Sequence, residues 1–201
     1  MTIPSKREAA RAPDALCALR LREPEIVPEK VRRLREESAK RLGYDRNFLR
    51  LPIEADRLTL LQGYIDRLMR SDDALLPALE RELLALVVSV ENRCDVCVMS
   101  HTAALQRYGL AKHAVDILTI NWRSAPLSDR QRALAEFAWR LTARPTEADE
   151  GYLDILRSAG LREEEILEAA QIVAIYNANN RFNTVIGLRA NPEAHASYRG
   201  E

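Results

Sequence analysis

RELLALVVSVENRCDVCVMSHTAALQRYG, residues 81–109, is the stretch whose reading decides the fold. Its first half holds LLALVVSV, residues 83–90, apolar on nearly every side, the pattern of a helix buried at the centre of a fold. Asn92 and Arg93 break that run, and a second helix opens near Cys94 and stops at Gly109. On a wheel of about 100° per residue, Cys97 and His101 fall within roughly 60° of Cys94, and Leu105 continues the stripe. The arc therefore faces an interior or a cleft. Cys-x-x-Cys is the shortest spacing that lets two thiols close a disulfide on one helical turn. A histidine four residues on can serve one of them as a base.

Two influences compete for the thiolate. The free N–H groups and dipole of a helix N-terminus favour ionising Cys94. The i to i+4 reach of His101 favours Cys97, and a directly bonded base outweighs a dipole effect of about 0.3–1 kcal/mol. A thiol of pKa near 8.5 is only about 3% ionised at neutral pH, so either influence matters. Glu82 shares a wheel stripe with Ala78, Ala85 and Ser89, where small side chains admit a neighbouring helix. A carboxylate enclosed there is a candidate proton acceptor.

Outward from this core the chain reads as all-α. Glycine numbers only 7 in 201 residues, good helix formers dominate, and alternating strand runs are missing. Punctuation predicts eight helices, at about 29–42, 56–70, 77–91, 94–108, 111–122, 127–143, 147–159 and 163–188. Gly43 and Gly109 mark stops, Pro77 and Pro126 precede starts, and Ser128 and Thr146 are candidate caps. Residues 1–27, with Pro4, Pro13 and Pro24 among charges, read as an extended arm. Residues 28–190 read as a single domain and 191–201 as a tail.

Lys plus Arg and Asp plus Glu number 30 each, so the net charge is zero, which argues against nucleic acid held by bulk electrostatics. Charges of alternating sign read as solvated helix faces. No apolar run approaches a membrane span. Three cysteines are too few for a disulfide framework, which points to the reducing cytoplasm, where Cys-x-x-Cys serves redox or metal chemistry. A zinc site would draw on Cys94, Cys97 and His101, but no second cysteine pair supplies a fourth ligand, so neither metal nor cofactor is expected. Cys17 reads as incidental, and His113 and His195 as solvated. Asn177 and Asn180 share a face with Ala170 and Val173, so buried amides there must find partners.

The segment 81–109 resembles the alkylhydroperoxidase AhpD-like proteins of the carboxymuconolactone decarboxylase-like superfamily, and most of all their uncharacterised peroxidase-related subgroup. It places a glutamate twelve residues before the first cysteine of Cys-x-x-Cys-x-x-x-His. GYDRNFLR (43–50) and YNANNRFNTVIGL (176–188) extend the likeness over roughly residues 27–188. The resemblance implies an AhpD-like helical bundle, a homotrimer or homohexamer, and thiol-dependent reduction of a hydroperoxide with no cofactor. It implies Cys97 as peroxidatic thiol, Cys94 as resolving thiol, Glu82 and His101 as proton relay, and a dithiol protein or small thiol as reductant. One departure is Val96, where AhpD itself carries a second histidine between the cysteines; this predicts a simpler relay and a lower rate. The alternatives are a non-catalytic redox-sensing oligomer, a disulfide reductase, and a superfamily enzyme acting on another electrophile. The thiol pair counts against a decarboxylase or lactone-processing role.

Overall fold

A computed structural model of the chain describes residues 15–199, so the first half of the expected arm lies outside the described residues. Ten α-helices follow in order: α1 (Glu29–Leu42), α2 (Asn47–Arg50), α3 (Ala55–Arg70), α4 (Ala78–Glu91), α5 (Asp95–Arg107), α6 (Lys112–Asn121), α7 (Asp129–Ala143), α8 (Glu150–Ser158), α9 (Glu163–Val185) and α10 (Pro192–Arg199). Short 3-10 turns at Trp122–Ser124 and Pro145–Glu147 lead out of α6 and into α8. The described residues contain no strand, and none of their helices is long and apolar enough to cross a membrane.

The fold is built around α4, which is buried at every position from Glu80 to Ser89. It packs against α5, α7 and α9, with α3 and α6 completing its surroundings. Leu83, Leu84, Leu86 and Val88 meet Leu105, Leu134, Ile172 and Val173 in one continuous core. Punctuation follows the sequence closely. Gly43 takes a left-handed φ of 84° and its N–H closes on Ala39 O. Ser128 and Gln131 form a reciprocal capping box at the start of α7. Thr146 does not cap α8; it lies in the 3-10 turn, and Asp149 stands at the helix boundary instead.

Two helices were not anticipated. Four-residue α2 is too short to show a 3.6-residue period. The residues read as a tail form α10, whose Pro192 at the first helical position is a start signal. α10 packs on α5. Asn191 Nδ2 donates to Asp45 O at 2.8 Å, while Asn47 N–H donates back to Asn191 Oδ1 at 2.9 Å. These amides tie the end of the chain to α2.

The described part of the arm lies against the body. Ala18 N–H donates to Ile186 O and Arg189 N–H donates to Leu16 O, both at 2.9 Å. Cys17 is thereby buried in a second cluster with Val31, Phe48, Leu58 and Leu188. The strap runs so close to Gly187 (φ 59°) that a Cβ there would sit 2.8 Å from the Ala18 methyl. A Gly187→Ala variant combines a left-handed backbone penalty with this clash. It is expected to lose about 1–2 kcal/mol or more, read as a lower urea midpoint at unchanged slope.

Candidate active site

The link between α4 and α5 aims the thiols. Asn92 closes α4, and Arg93 takes a positive φ of 53°, unusual for a side-chain-bearing residue. Cys94 then stands at the N-cap of α5 with its N–H on Ser89 O at 3.0 Å. One turn on, Cys97 points back at it, and the two free thiols lie with Sγ atoms 2.8 Å apart. From α9, Asn183 Nδ2 donates to Cys97 Sγ at 3.4 Å.

Glu82 of α4 and His101 of α5 meet across the helix interface, Oε2 to Nδ1 at 2.6 Å, both buried. With Glu82 ionised, Nδ1 holds the shared proton and Nε2 is left to exchange one. The edge of the His101 ring meets Tyr176 of α9 at 4.6 Å between centroids, fixing its tilt. Burial, and next the Glu82 charge, push the Tyr176 hydroxyl pKa far up, so the phenol stays neutral.

Cys97, His101 and Glu82 line one cavity of about 270 Å³, closed by α2, the start of α10 and the end of α9. Cys94 is not part of the lining; it lies behind Cys97 and is fully buried. The electrostatics of the pair run the other way. Once Cys94 is ionised the Cys97 thiol can donate to it, which lowers the Cys94 pKa against the opposing effect of burial. The same bond, then burial, hold the Cys97 pKa well above the ordinary thiol value, with Asn183 and Arg46 pulling it down in part. Two sulfurs this close cannot both carry charge cheaply, so the first ionisation belongs to the pair and is eased, and the second is suppressed.

The four residues singled out from sequence thus meet as two contacting pairs, three of the four on one cavity wall. Val96 lines the cavity and packs with the Phe48 cluster. His113 and His195 are exposed, as expected. Among the described residues no group of three or more His, Cys, Asp or Glu side chains is placed to hold a metal ion. Asn177 and Asn180 serve the framework. Asn180 bonds Ser89 Oγ, and Asn177 bonds Asn92 and Thr142. Sequence reasoning passed over Asn183, which continues their i, i+3 spacing by one more step and is the member that reaches sulfur. It also passed over Arg41, Arg46, Arg70, Arg107 and Arg189, all on the cavity wall.

An all-α fold with a dithiol at a helix start and a buried glutamate–histidine pair beside it defines the class. The profile of the carboxymuconolactone decarboxylase family matches residues 58–139, which span most of α3 through most of α7 and include all four residues. This match, together with the likeness to solved structures, supports the AhpD-like, carboxymuconolactone decarboxylase-like superfamily for this chain. It is similar to an uncharacterized peroxidase-related protein from Silicibacter sp. TM1040, at 29% identity over 93% of this chain and 98% of that one, with a TM-score of 0.86. It is also similar to an alkylhydroperoxidase AhpD core protein, described as uncharacterized and peroxidase-related, from Ralstonia eutropha JMP134. There the identity is 28% over 90% of this chain and 97% of that one, with a TM-score of 0.82. The debrominase Bmp8 shares the fold alone, at 18% identity over 84% of this chain and 89% of that one and a TM-score of 0.70. No curated protein matches the chain.

If the Cys97 thiol is what eases ionisation of Cys94, its loss must reverse the effect. In Cys97→Ala the donor is gone and burial remains, so the Cys94 pKa rises above the ordinary thiol value. The pH profile of ultraviolet thiolate absorbance is expected to show a first ionisation below that of an ordinary thiol in reduced wild type and an upward shift in the variant. An unshifted profile would contradict the shared proton.

Proposed function

We propose that this protein is a thiol-dependent peroxidase that reduces an organic hydroperoxide at Cys97 and is itself re-reduced by an external dithiol. The observation that carries the reading is a near-contact thiol pair of which only one sulfur opens on the cavity, alongside a buried carboxylate–imidazole pair. Access decides between the two cysteines: Cys94 is the easier thiol to ionise, but Cys97 is the one a substrate can reach.

The cycle follows from these positions. The Glu82–His101 pair takes the Cys97 proton, and Asn183 and Arg46 favour the resulting thiolate. Cys97 Sγ attacks the outer oxygen of the hydroperoxide, the O–O bond breaks, and sulfur is oxidised to a sulfenic acid. The departing alkoxide recovers the proton and leaves as an alcohol. Cys94 then attacks the sulfenic sulfur, so an S–S bond forms and the S–OH oxygen leaves with the Cys94 proton as water. A dithiol protein or small thiol returns two electrons and two protons by exchange. With no histidine at Val96, a single base serves both proton transfers.

The likeness to peroxidase-related structures supports such a role at family level, and the specific peroxide activity is this proposal. Assembly as a homotrimer or homohexamer belongs to it too: Ile120 is 84% and Val185 78% exposed, apolar surface that a second copy would cover. A cytoplasmic setting would supply the reductant.

The test is hydroperoxide consumption with a dithiol as electron donor. Cys97→Ser is expected to abolish turnover. Cys94→Ser should stop after one equivalent, with a sulfenate that dimedone captures. Glu82→Gln should slow the thiol-oxidation step by about 10²–10⁴-fold. Full turnover by Cys97→Ser would overturn the assignment. A disulfide that forms and is reduced again without peroxide consumption would leave a redox sensor.

A further inference from the structure

The cavity over Cys97 carries an excess of positive charge that the chemistry above does not use. Arg41, Arg46, Arg70, Arg107 and Arg189 all line it, and Glu82, already engaged by His101, is the one carboxylate among the lining residues. Asp66, just outside the lining, pairs with Arg70. Arg46 has neutral partners: Gln62 Oε1 accepts from its Nη1 at 3.3 Å, and its guanidinium lies over the Phe48 ring at 5.8 Å. Arg41 and Arg107 have no carboxylate within ion-pair reach among the described residues.

Such a group is unfavourable as it stands. Burial, then Arg107, press the Arg41 pKa down; burial, then Arg41, do the same to Arg46. Burial, with Arg41 adding to it, brings Arg70 down to about 10 despite Asp66. All remain cations at neutral pH. Guanidinium groups gathered in a partly desolvated pocket with too few counter-charges repel one another, and a bound anion relieves that repulsion. Behind Cys97, Asn183 Oδ1 and Asn179 Oδ1 are buried acceptors with no partner, and both residues line the cavity. The wall therefore offers cationic donors toward α1–α3 and unsatisfied acceptors beside the sulfur. An acceptor with a free lone pair next to the nucleophile suits an O–H donor such as the end of a hydroperoxide.

We infer that the substrate is a small organic electrophile carrying an anionic group, a carboxylate or a phosphate, which the Arg41–Arg46–Arg70–Arg107 cluster holds while its reactive end is presented to Cys97. The cavity volume of about 270 Å³ limits the ligand to a small molecule. This rests on the peroxidase reading for the reactive end only; the anion site stands on the arginines.

The test separates the two. Reduced protein is alkylated at Cys97 by iodoacetamide in the presence of benzoate, phenyl phosphate or benzamide, which share shape and differ in charge. Benzoate or phenyl phosphate is expected to slow labelling at concentrations where benzamide does not, and the stronger of the two identifies the head group. Added NaCl should weaken the protection. Arg46→Gln should weaken it about tenfold or more, as for loss of a hydrogen bond to a charged group, with thermal stability as the check on folding. Equal protection by benzamide, or none by either anion, overturns the inference. A parallel assay compares turnover of a carboxylate-bearing hydroperoxide with its methyl ester, and preference for the acid supports the inference. Anion protection without any peroxide turnover would remove the peroxidase reading and leave the anion site. Equal turnover of acid and ester, with no protection, would do the opposite.

Discussion

The burial of α4 from Glu80 to Ser89 is the constraint from which the rest follows. A helix enclosed on every side cannot carry a polar side chain without giving it a partner, because an unpaired buried charge costs several kcal/mol. Three polar residues on α4 are satisfied by three different helices. Glu80 bonds Arg130 of α7, which also holds Glu165 of α9. Glu82 bonds His101 of α5, and Ser89 bonds Asn180 of α9. Each bond fixes the rotation of α4 against one neighbour. The bonds of Glu82 and Ser89 lie about two turns apart on the same helix, and the link that follows places Cys94 N–H on Ser89 O. The site is a by-product of satisfying the core.

The same burial shapes the sulfur chemistry. In water two neighbouring thiols titrate almost independently. Here they share a proton across 2.8 Å in a site with little solvent, and each sets the other's pKa. Cys94 takes the easier ionisation and Cys97 the cavity. That division is economical for a two-step oxidation. In the proposed cycle the cavity-lining sulfur would meet the oxidant, and the covered sulfur, more readily ionised but enclosed, would be kept for the second bond. In that proposal the base that removes the Cys97 proton is the Glu82–His101 pair of α4 and α5.

Much of this was legible in residues 81–109. The all-round apolar run announced the central helix, and of the expected arc Cys97 and His101 lie on α5 and line the cavity while Cys94 stands at the N-cap behind them. The stripe of Ala85 and Ser89 beside Glu82 let α9 approach, as small residues should. What escaped was tertiary. Asn183 lies 86 residues from Cys97, and its contact depends on how α9 and α5 both pack on α4, which no local spacing encodes. Likewise GYDRNFLR and the α9 segment are remote in sequence. In the fold Phe48 meets Phe182 edge to face at 6.5 Å, and Asn47 Nδ2 donates to Arg189 O. Cys17 read as incidental because an arm with several prolines gives no period, yet two backbone bonds are enough to bury it.

Charge was the property that sequence averaged away. A chain with 30 cations and 30 anions carries no bulk field, and alternating signs on surface helices look like solvation alone. Net charge is a sum over the surface, however, and recognition depends on where the charges converge. Arg41 ends α1, Arg46 precedes α2, Arg70 ends α3, Arg107 ends α5 and Arg189 follows α9. Three of these arginines sit in the last turn of a helix, where a cation offsets the C-terminal dipole, and so each has a local reason to be there. The bundle brings those ends to one cavity. Residues that stabilise helices one at a time thus become a cationic surface once the helices are packed, at no cost to the zero net charge of the whole.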